Sequence, residues 1–243
     1  MTIVLGIIIG VVMGLTGAGG ALIAIPLFLQ FLGMDLKEAT LYSLIAVIIA
    51  SFSNFLLQRK FSDYKLSIVL VLLSTTGSFL TNPLKIYLPD MYMAILLATV
   101  CIYSLFSIWT PTSGNNSQKK SPSWLIIGVV GLSLGALTIF TGLGGGVLML
   151  PFLTRFYGLD QNRAVATSLF TVGMSSLSSL LIQVFSGAQF KLDSQLFGLV
   201  IGIFVAALSI KFMMARLSLS SFNNSRKVIF TFVVGLALFK IFS

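Results

Sequence analysis

The sequence predicts an all-α polytopic membrane protein built from two repeats, on the basis of three observations. Of its 243 residues, 57% are hydrophobic and 9% are charged, whereas a soluble domain carries roughly 25% charged residues. The apolar residues form long blocks, with the basic residues mostly in short loops between them. Finally, residues 6–58 align without gaps on residues 131–183. Because membrane topology explains the net charge of +9, we expect a lipid bilayer and no nucleic acid as partner.

The repeat has a constant offset of 125 residues and preserves residues that chance matching of apolar positions would not. The paired identities include Gly6/Gly131, Gly10/Gly135, Thr16/Thr141, Gly17/Gly142, Gly19/Gly144, Gly20/Gly145, Pro26/Pro151, Asp35/Asp160, Ser43/Ser168, Ser51/Ser176 and Gln58/Gln183. Duplications of this kind are common in transporters. We therefore predict a first transmembrane repeat at 1–109, a polar linker at 110–123 and a second transmembrane repeat at 124–243.

Each repeat contains four apolar blocks. They cover 3–32, 39–57, 66–88 and 91–109, and then 124–154, 164–185, 195–215 and 227–243. The opening block of each repeat has about 30 residues, which as one helix would reach ~45 Å, too long for a hydrocarbon core of ~30 Å. A glycine run divides it into pieces of about 12 to 15 residues, each too short to cross. We therefore predict a glycine-broken re-entrant helical hairpin followed by three transmembrane helices in each repeat.

The distribution of Lys and Arg favours these hairpins. If each opening block crossed the membrane once, the basic residues would divide seven against eight between the two sides. With hairpins, Lys37, Lys85, Lys191 and Lys240 lie on one side and the other eleven on the opposite side, as expected of a basic cytoplasmic face. Three crossings per repeat make the repeats inverted and place both termini outside. Parallel repeats with one kinked crossing per opening block are the alternative.

The glycine runs are the candidate binding site. They lie in Thr16–Pro26, TGAGGALIAIP, and in Thr141–Pro151, TGLGGGVLMLP. Each break exposes backbone N–H groups and the positive end of the half-helix that follows, and glycine lets a ligand approach the backbone. In inverted repeats, two such ends would face each other around an anion. The candidate residues are Thr16, Gly17, Gly19, Gly20 and Ala21 in the first repeat, and Thr141, Gly142, Gly144, Gly145 and Gly146 in the second.

Close helix packing is the alternative role for small residues in a bilayer. We prefer that role for Gly6, Gly10, Gly131 and Gly135, which are spaced four apart on one helix face. The second block of each repeat adds three candidate hydroxyl groups, on Ser43, Thr167 and Ser168. Such hydroxyls also bond to the preceding turn of their own helix.

Residues that are missing from the apolar blocks narrow the function. The chain has no His, and its Asp and Glu residues all lie at predicted loop positions, so a proton relay within the membrane has no support. Hydrolytic and transferase chemistry lacks its usual residues, and we expect neither enzymatic activity nor a metal or cofactor. No basic residue is predicted at midplane depth, so backbone dipoles must offset the charge of an anion. Cys101 is the single cysteine, which excludes an intrachain disulfide.

These motifs resemble the TauE/SafE family of sulfite and organosulfonate exporters. The resemblance rests on GLTGAGGALIAIP, IFTGLGGGVLMLP and AVATSL at 164–169, and it covers both repeats. The first repeat departs from the family pattern at Ala21 and Tyr42. The resemblance implies a multi-pass protein of a bacterial or archaeal inner membrane that transports small sulfur-containing anions. We expect a secondary transporter of sulfite, thiosulfate or an organosulfonate, in monomeric or homodimeric form. A passive anion channel and a non-transporting sensor or scaffold are the alternatives.

Overall fold

The computed structural model describes residues 2–16, 21–109, 123–188 and 194–214. Every regular element in these ranges is helical. The helices are α1 (Thr2–Thr16), α2 (Ala21–Phe31), α3 (Leu36–Gln58), α4 (Tyr64–Tyr87), α5 (Asp90–Trp109), α6 (Trp124–Thr141), α7 (Gly146–Pro151), α8 (Gln161–Phe185) and α9 (Ser194–Met214). A 3₁₀ turn, Arg59–Phe61, follows α3, and α7 continues as a π-helical segment, Phe152–Phe156. The predicted all-helical class is confirmed.

Four of these helices are long and apolar enough to span a bilayer. The spans are Leu36–Leu56, Tyr64–Lys85, Trp124–Thr141 and Asn162–Phe185. Large apolar side chains on the outside of the bundle are exposed, as lipid contact requires. Phe79 is 68% exposed and Phe106 69% exposed. These features make the chain a membrane-embedded protein. The predicted last block, 227–243, and nearly all of the linker lie outside the described residues.

The glycine run of the second repeat interrupts a helix, as the sequence predicts. In the second repeat α6 ends at Thr141 and α7 begins at Gly146. In the first repeat α1 is described as far as Thr16 and α2 from Ala21, and the glycine run between them lies outside the described residues. One detail differs, because α6 has 18 residues and reaches about 27 Å. This first arm is longer than expected and is itself a candidate span.

Two helix pairs pack through small residues. In the first pair, Gly6 of α1 lies against the backbone of Leu199 and Gly202 in α9. In the second pair, Gly135 of α6 lies against the backbone of Ser74 and Ser78 in α4. A Cβ atom at either glycine would meet backbone atoms, so only glycine permits these helices to approach so closely. The packing role predicted for Gly6, Gly10, Gly131 and Gly135 is confirmed.

The two glycine-packed pairs are equivalent under the repeat. At the offset of 125 residues, α1 corresponds to residues 127–141 of α6. Residues 194–212 of α9 correspond to residues 69–87 of α4. The contacts of Gly6 with Leu199 and Gly202 are matched between α6 and α4 by those of Gly131 with Leu73 and of Gly77 with Leu132. Within each pair the residue numbers rise together, so α1 runs parallel to α9 and α4 runs parallel to α6. The first helix of each repeat (α1 or α6) therefore packs on the helix of the other repeat's third apolar block (α9 or α4).

The helices α3 and α8, which correspond to the second apolar block of each repeat, cross the middle of the bundle and run antiparallel. Phe55 packs on Phe170, with ring centroids 5.0 Å apart, at one end of the pair. At the other end the Lys85 ammonium bridges Thr40 and Gln183. We call the end that holds Asp63 and Thr167 end A, and the end that holds Thr40, Lys85 and Gln183 end B.

Candidate functional site

The glycine turn of the second repeat, Gly142–Gly145, lies buried between α3, α6 and α8. Ser43 of α3 donates a hydrogen bond of 2.9 Å to the Gly142 carbonyl. On the other side of the turn, Gly144 lies against the Ser176 hydroxyl of α8 and the Val47 side chain of α3. Of the predicted site residues, Gly142, Gly144, Gly145, Gly146 and Ser43 are therefore brought together.

Glycine is required in this turn for two separate reasons. Gly142, Gly144 and Gly145 all have φ between +64° and +67°, a left-handed conformation that other residues rarely adopt. Space is also lacking, because a Cβ atom at Gly142 would lie 2.6 Å from the Thr40 carbonyl oxygen. At Gly144 a Cβ atom would lie 2.5 Å from the Ser176 hydroxyl oxygen. The local sequence GLGGG therefore specifies this turn and no regular helix.

The backbone amides of the turn are only partly used. The Gly142 amide donates to the Thr138 carbonyl at 2.9 Å, and the Leu143 amide donates to the Thr141 hydroxyl at 3.4 Å. No hydrogen bond within the described structure uses the amide of Gly144 or Gly145. Buried amides without an acceptor are costly and uncommon in proteins. Two such donors deep in the bundle can serve as a binding element for an anion.

Thr141 uses its hydroxyl within its own turn. Its Oγ1 donates to the Leu137 carbonyl at 2.6 Å and accepts from the Leu143 amide. A hydroxyl carries one proton, so in this arrangement Thr141 has none left to donate to a ligand. Its role here is to end α6 and to hold the first residue after Gly142.

Thr167 lies at end A, remote from the glycine turn of the second repeat. Its hydroxyl accepts a hydrogen bond of 3.0 Å from the Asp63 amide. Ser168 is also buried, and its hydroxyl has no hydrogen-bond partner in the described structure. Thr16 and Ala21 are described in backbone only, and Gly17, Gly19 and Gly20 lie outside the described residues.

Sequence reasoning missed four buried polar residues near this region. Ser51 and Ser176 are at most 1% exposed, and neither hydroxyl has a partner among the described residues. Lys85, which lies near the end of the predicted block 66–88, is only 8% exposed and donates to Thr40 Oγ1 at 3.2 Å and to Gln183 Oε1 at 2.5 Å. The sequence does carry a signal for Ser51, Ser176 and Gln183, because Ser51/Ser176 and Gln58/Gln183 are identities within the repeat. It carries no such signal for Lys85.

Two other features do not contribute to this site. A groove of about 620 Å³ on the bundle is lined by apolar residues such as Leu88, Tyr92 and Leu137, and by no predicted site residue. In the described ranges, no group of three or more Cys, Asp or Glu side chains is placed to hold a metal ion.

Comparisons with known proteins agree with a membrane transporter. The family model described as "Sulfite exporter TauE/SafE" matches residues 2–239. A "Probable membrane transporter protein" of Xylella fastidiosa (strain Temecula1) is 25% identical over 188 residues, which cover 74% of this chain and 72% of that protein. "Probable membrane transporter protein YunE" of Bacillus subtilis (strain 168) is 27% identical over 216 residues, covering 76% and 78% respectively. No solved structure matches the chain. The match over nearly the whole length shows that the chain belongs to the TauE/SafE family of membrane transporters.

Proposed function

We propose that the chain is a secondary transporter of small sulfur-containing anions, such as sulfite, thiosulfate or an organosulfonate. The observation that carries this proposal is the buried turn Gly142–Gly145, in which two amides have no acceptor among the described residues. An oxyanion supplies the acceptors that these amides lack, and membership of a family described as sulfite exporters supports a sulfur oxyanion. The turn and α7 would bind the anion through backbone groups.

The two repeats are proposed to be inverted relative to each other. The antiparallel course of α3 and α8, which correspond at the offset of 125 residues, supports this relation. Parallel repeats would make these two helices run in the same direction. The exchanged pairs, α1 on α9 and α6 on α4, are consistent with a two-fold relation between the repeats.

Each opening block is proposed to be a re-entrant hairpin. Because α6 runs parallel to α4, it begins at end A, where α4 begins. The helix α8 also begins at end A, since Thr167 contacts Asp63 there. The segment between the start of α6 and the start of α8 therefore enters and leaves the membrane at end A, even though α6 is long enough to span it. Arg59, Lys60, Lys65 and Arg163 belong to end A, which fits a cytoplasmic face and termini outside the inner membrane.

The first repeat is proposed to supply the other half of the site. Gly17, Gly19, Gly20 and Ala21 correspond to the turn of the second repeat, and Thr16 corresponds to Thr141. Ser168 corresponds to Ser43, and its buried hydroxyl without a partner is free to meet the turn of the first repeat as Ser43 meets Gly142. Rocking of one repeat against the other would expose the anion to each side in turn. Such a transporter can act as a monomer or a homodimer.

Transport by the purified full-length chain in liposomes tests this proposal. We expect uptake of ³⁵S-labelled sulfite, thiosulfate or a small alkanesulfonate that saturates with concentration and is accelerated by the same anion inside the liposomes. Such counterflow requires a carrier that alternates. Flux that neither saturates nor shows counterflow would support a passive anion channel instead. An absence of flux for every sulfur anion, with folded protein confirmed in the membrane, would contradict the proposed function.

A further inference from the structure

The Lys85 ammonium is buried at end B without a negative partner. It is 8% exposed, and its two hydrogen-bond acceptors, Thr40 Oγ1 and Gln183 Oε1, are neutral. The one ion pair within 4.0 Å among the described residues joins Lys37 to Asp90, at 3.6 Å on the exposed rim. Burying a charge in a membrane protein is costly unless it is paired, and such residues commonly mark an ion or substrate site.

Gln183 adds hydrogen-bond donors that are themselves unused. An ammonium group only donates, so the amide oxygen of Gln183 must face Lys85 and the amide nitrogen must face away from it. That nitrogen, Nε2, is buried and has no acceptor among the described residues, and the side chain is 3% exposed. Buried amide groups of this kind are normally satisfied. The missing partner is therefore an acceptor.

Thr40 does not accept a hydrogen bond from Gln183 in this structure. Its hydroxyl donates to the Lys37 carbonyl at 2.7 Å and accepts from Lys85 at 3.2 Å. The unused donors of the cluster are one ammonium N–H of Lys85 and the amide N–H groups of Gln183. A buried cluster with a positive charge and several unpartnered N–H donors matches an anion with two or more acceptor oxygens.

The cluster is adjacent to the glycine turn. Thr40, which accepts from Lys85, also lies with its backbone against Gly142. We propose that Lys85 and Gln183 form an anion-binding subsite on the end B side of this turn, where they take the charged oxygens of the transported sulfite or sulfonate. This inference rests on the proposed function and names the side chains that recognise the charge of its substrate.

The hydroxyl of the subsite is not repeated. At the offset of 125 residues, which holds over 6–58 and 131–183, Thr40 corresponds to Val165 and Gln183 to Gln58. Val165 cannot bind an anion through its side chain, so an equivalent subsite built on these positions would lack the hydroxyl.

Three substitutions test the subsite in the full-length protein. Lys85→Met removes the charge at similar length, and Gln183→Glu places a carboxylate beside Lys85 that replaces the anion as its partner. Lys65→Met is the matched control, because Lys65 lies exposed at the opposite end of α4. Each variant is assayed for uptake in liposomes and for the rise in melting temperature that sulfite, thiosulfate or methanesulfonate causes in detergent, with chloride as the non-sulfur comparison.

We expect Gln183→Glu to melt at or above the wild-type temperature without anion, to lose the anion-induced rise, and to raise the KM for uptake at least tenfold. Lys85→Met should raise the KM similarly, and Lys65→Met should change neither quantity by more than twofold. If Lys85→Met does not fold, Gln183→Glu decides the question alone. A wild-type KM and a wild-type anion-induced rise in Gln183→Glu would overturn the subsite while leaving the proposed function intact. Absence of wild-type flux would instead overturn the proposed function.

Discussion

Ser43 donates a hydrogen bond of 2.9 Å to the carbonyl of Gly142, a residue 99 positions further along the chain. Both groups are buried, so the bond connects α3 of the first repeat to the glycine turn of the second repeat. A helix of one repeat thereby fixes the backbone orientation of the other repeat's turn. The amides proposed to bind the anion belong to this same turn.

Replacing Ser43 by Ala should lower transport about tenfold. The substitution leaves the Gly142 carbonyl buried without its donor, at a cost of about 1 to 3 kcal/mol, and lets the turn move. Initial rates of labelled anion uptake in liposomes measure the effect. Ser133→Ala is the control, because the exposed Ser133 hydroxyl bonds only within its own helix, to Val129. Equal rates for the two variants would contradict a positioning role for Ser43.

Replacing Gly144 by Ala should impair transport more strongly than the Ser43 substitution. The left-handed backbone at φ +67° costs a non-glycine residue about 1 to 2 kcal/mol, and the new Cβ would displace the Ser176 hydroxyl. Uptake and thermal stability in detergent should be measured together. Gly128→Ala serves as the control, since a Cβ there meets nothing within 4 Å. If Gly144→Val and Gly145→Val both preserve folding and anion flux, the site proposed at this turn is wrong.

Substitutions at the glycine-packed helix pairs should affect folding before they affect transport. Gly135→Val forces α6 away from the α4 backbone, and Gly10→Val forces α1 away from Ile203 and Ala206 of α9. Overpacking of this kind typically costs about 1 to 3 kcal/mol. We expect low yields of folded protein and a lower melting temperature for both. Gly128→Ala, on an open face of α6, should leave stability unchanged or raise it by up to about 1 kcal/mol.

The re-entrant hairpin predicts that both ends of the second opening block are accessible from one side. In a Cys101→Ser background, Ser123→Cys and Asn162→Cys should react with an impermeant maleimide only in inside-out vesicles. Lys60→Cys marks the same side, and Pro89→Cys, in the connection between α4 and α5, marks the opposite side and should react in intact cells. Labelling of positions 123 and 162 from opposite sides would favour a single kinked crossing and parallel repeats.

The sequence predicts much of this structure because its strongest signals are local or repeated. Block boundaries follow from hydropathy, and the break after Thr141 follows from the glycine run. The spacing of Gly6 and Gly10 predicts a packing face, although it does not reveal that the partner is α9. Partners of this kind depend on how the helices associate, which hydropathy does not encode.

The side-chain chemistry around the glycine turn is harder to predict for a related reason. Lys85 is close enough to the end of its apolar block to be taken for a loop residue, and only the packing of α3, α4 and α8 buries it. Thr141 and Thr167 look alike in sequence, yet one caps its own helix and the other accepts from Asp63 at end A. Which hydroxyls remain free is decided by tertiary neighbours.

The exchanged helix pairs bear on how such a chain is made and where it came from. The helices α1 and α6 make their glycine-mediated contacts with helices of the other repeat. The helix α9 must therefore be synthesised before α1 is fully buried. Final assembly then waits until α9 has been synthesised. By the same geometry, a single ancestral unit could bury these faces only by pairing with a second copy, which the proposed inverted arrangement would place upside down.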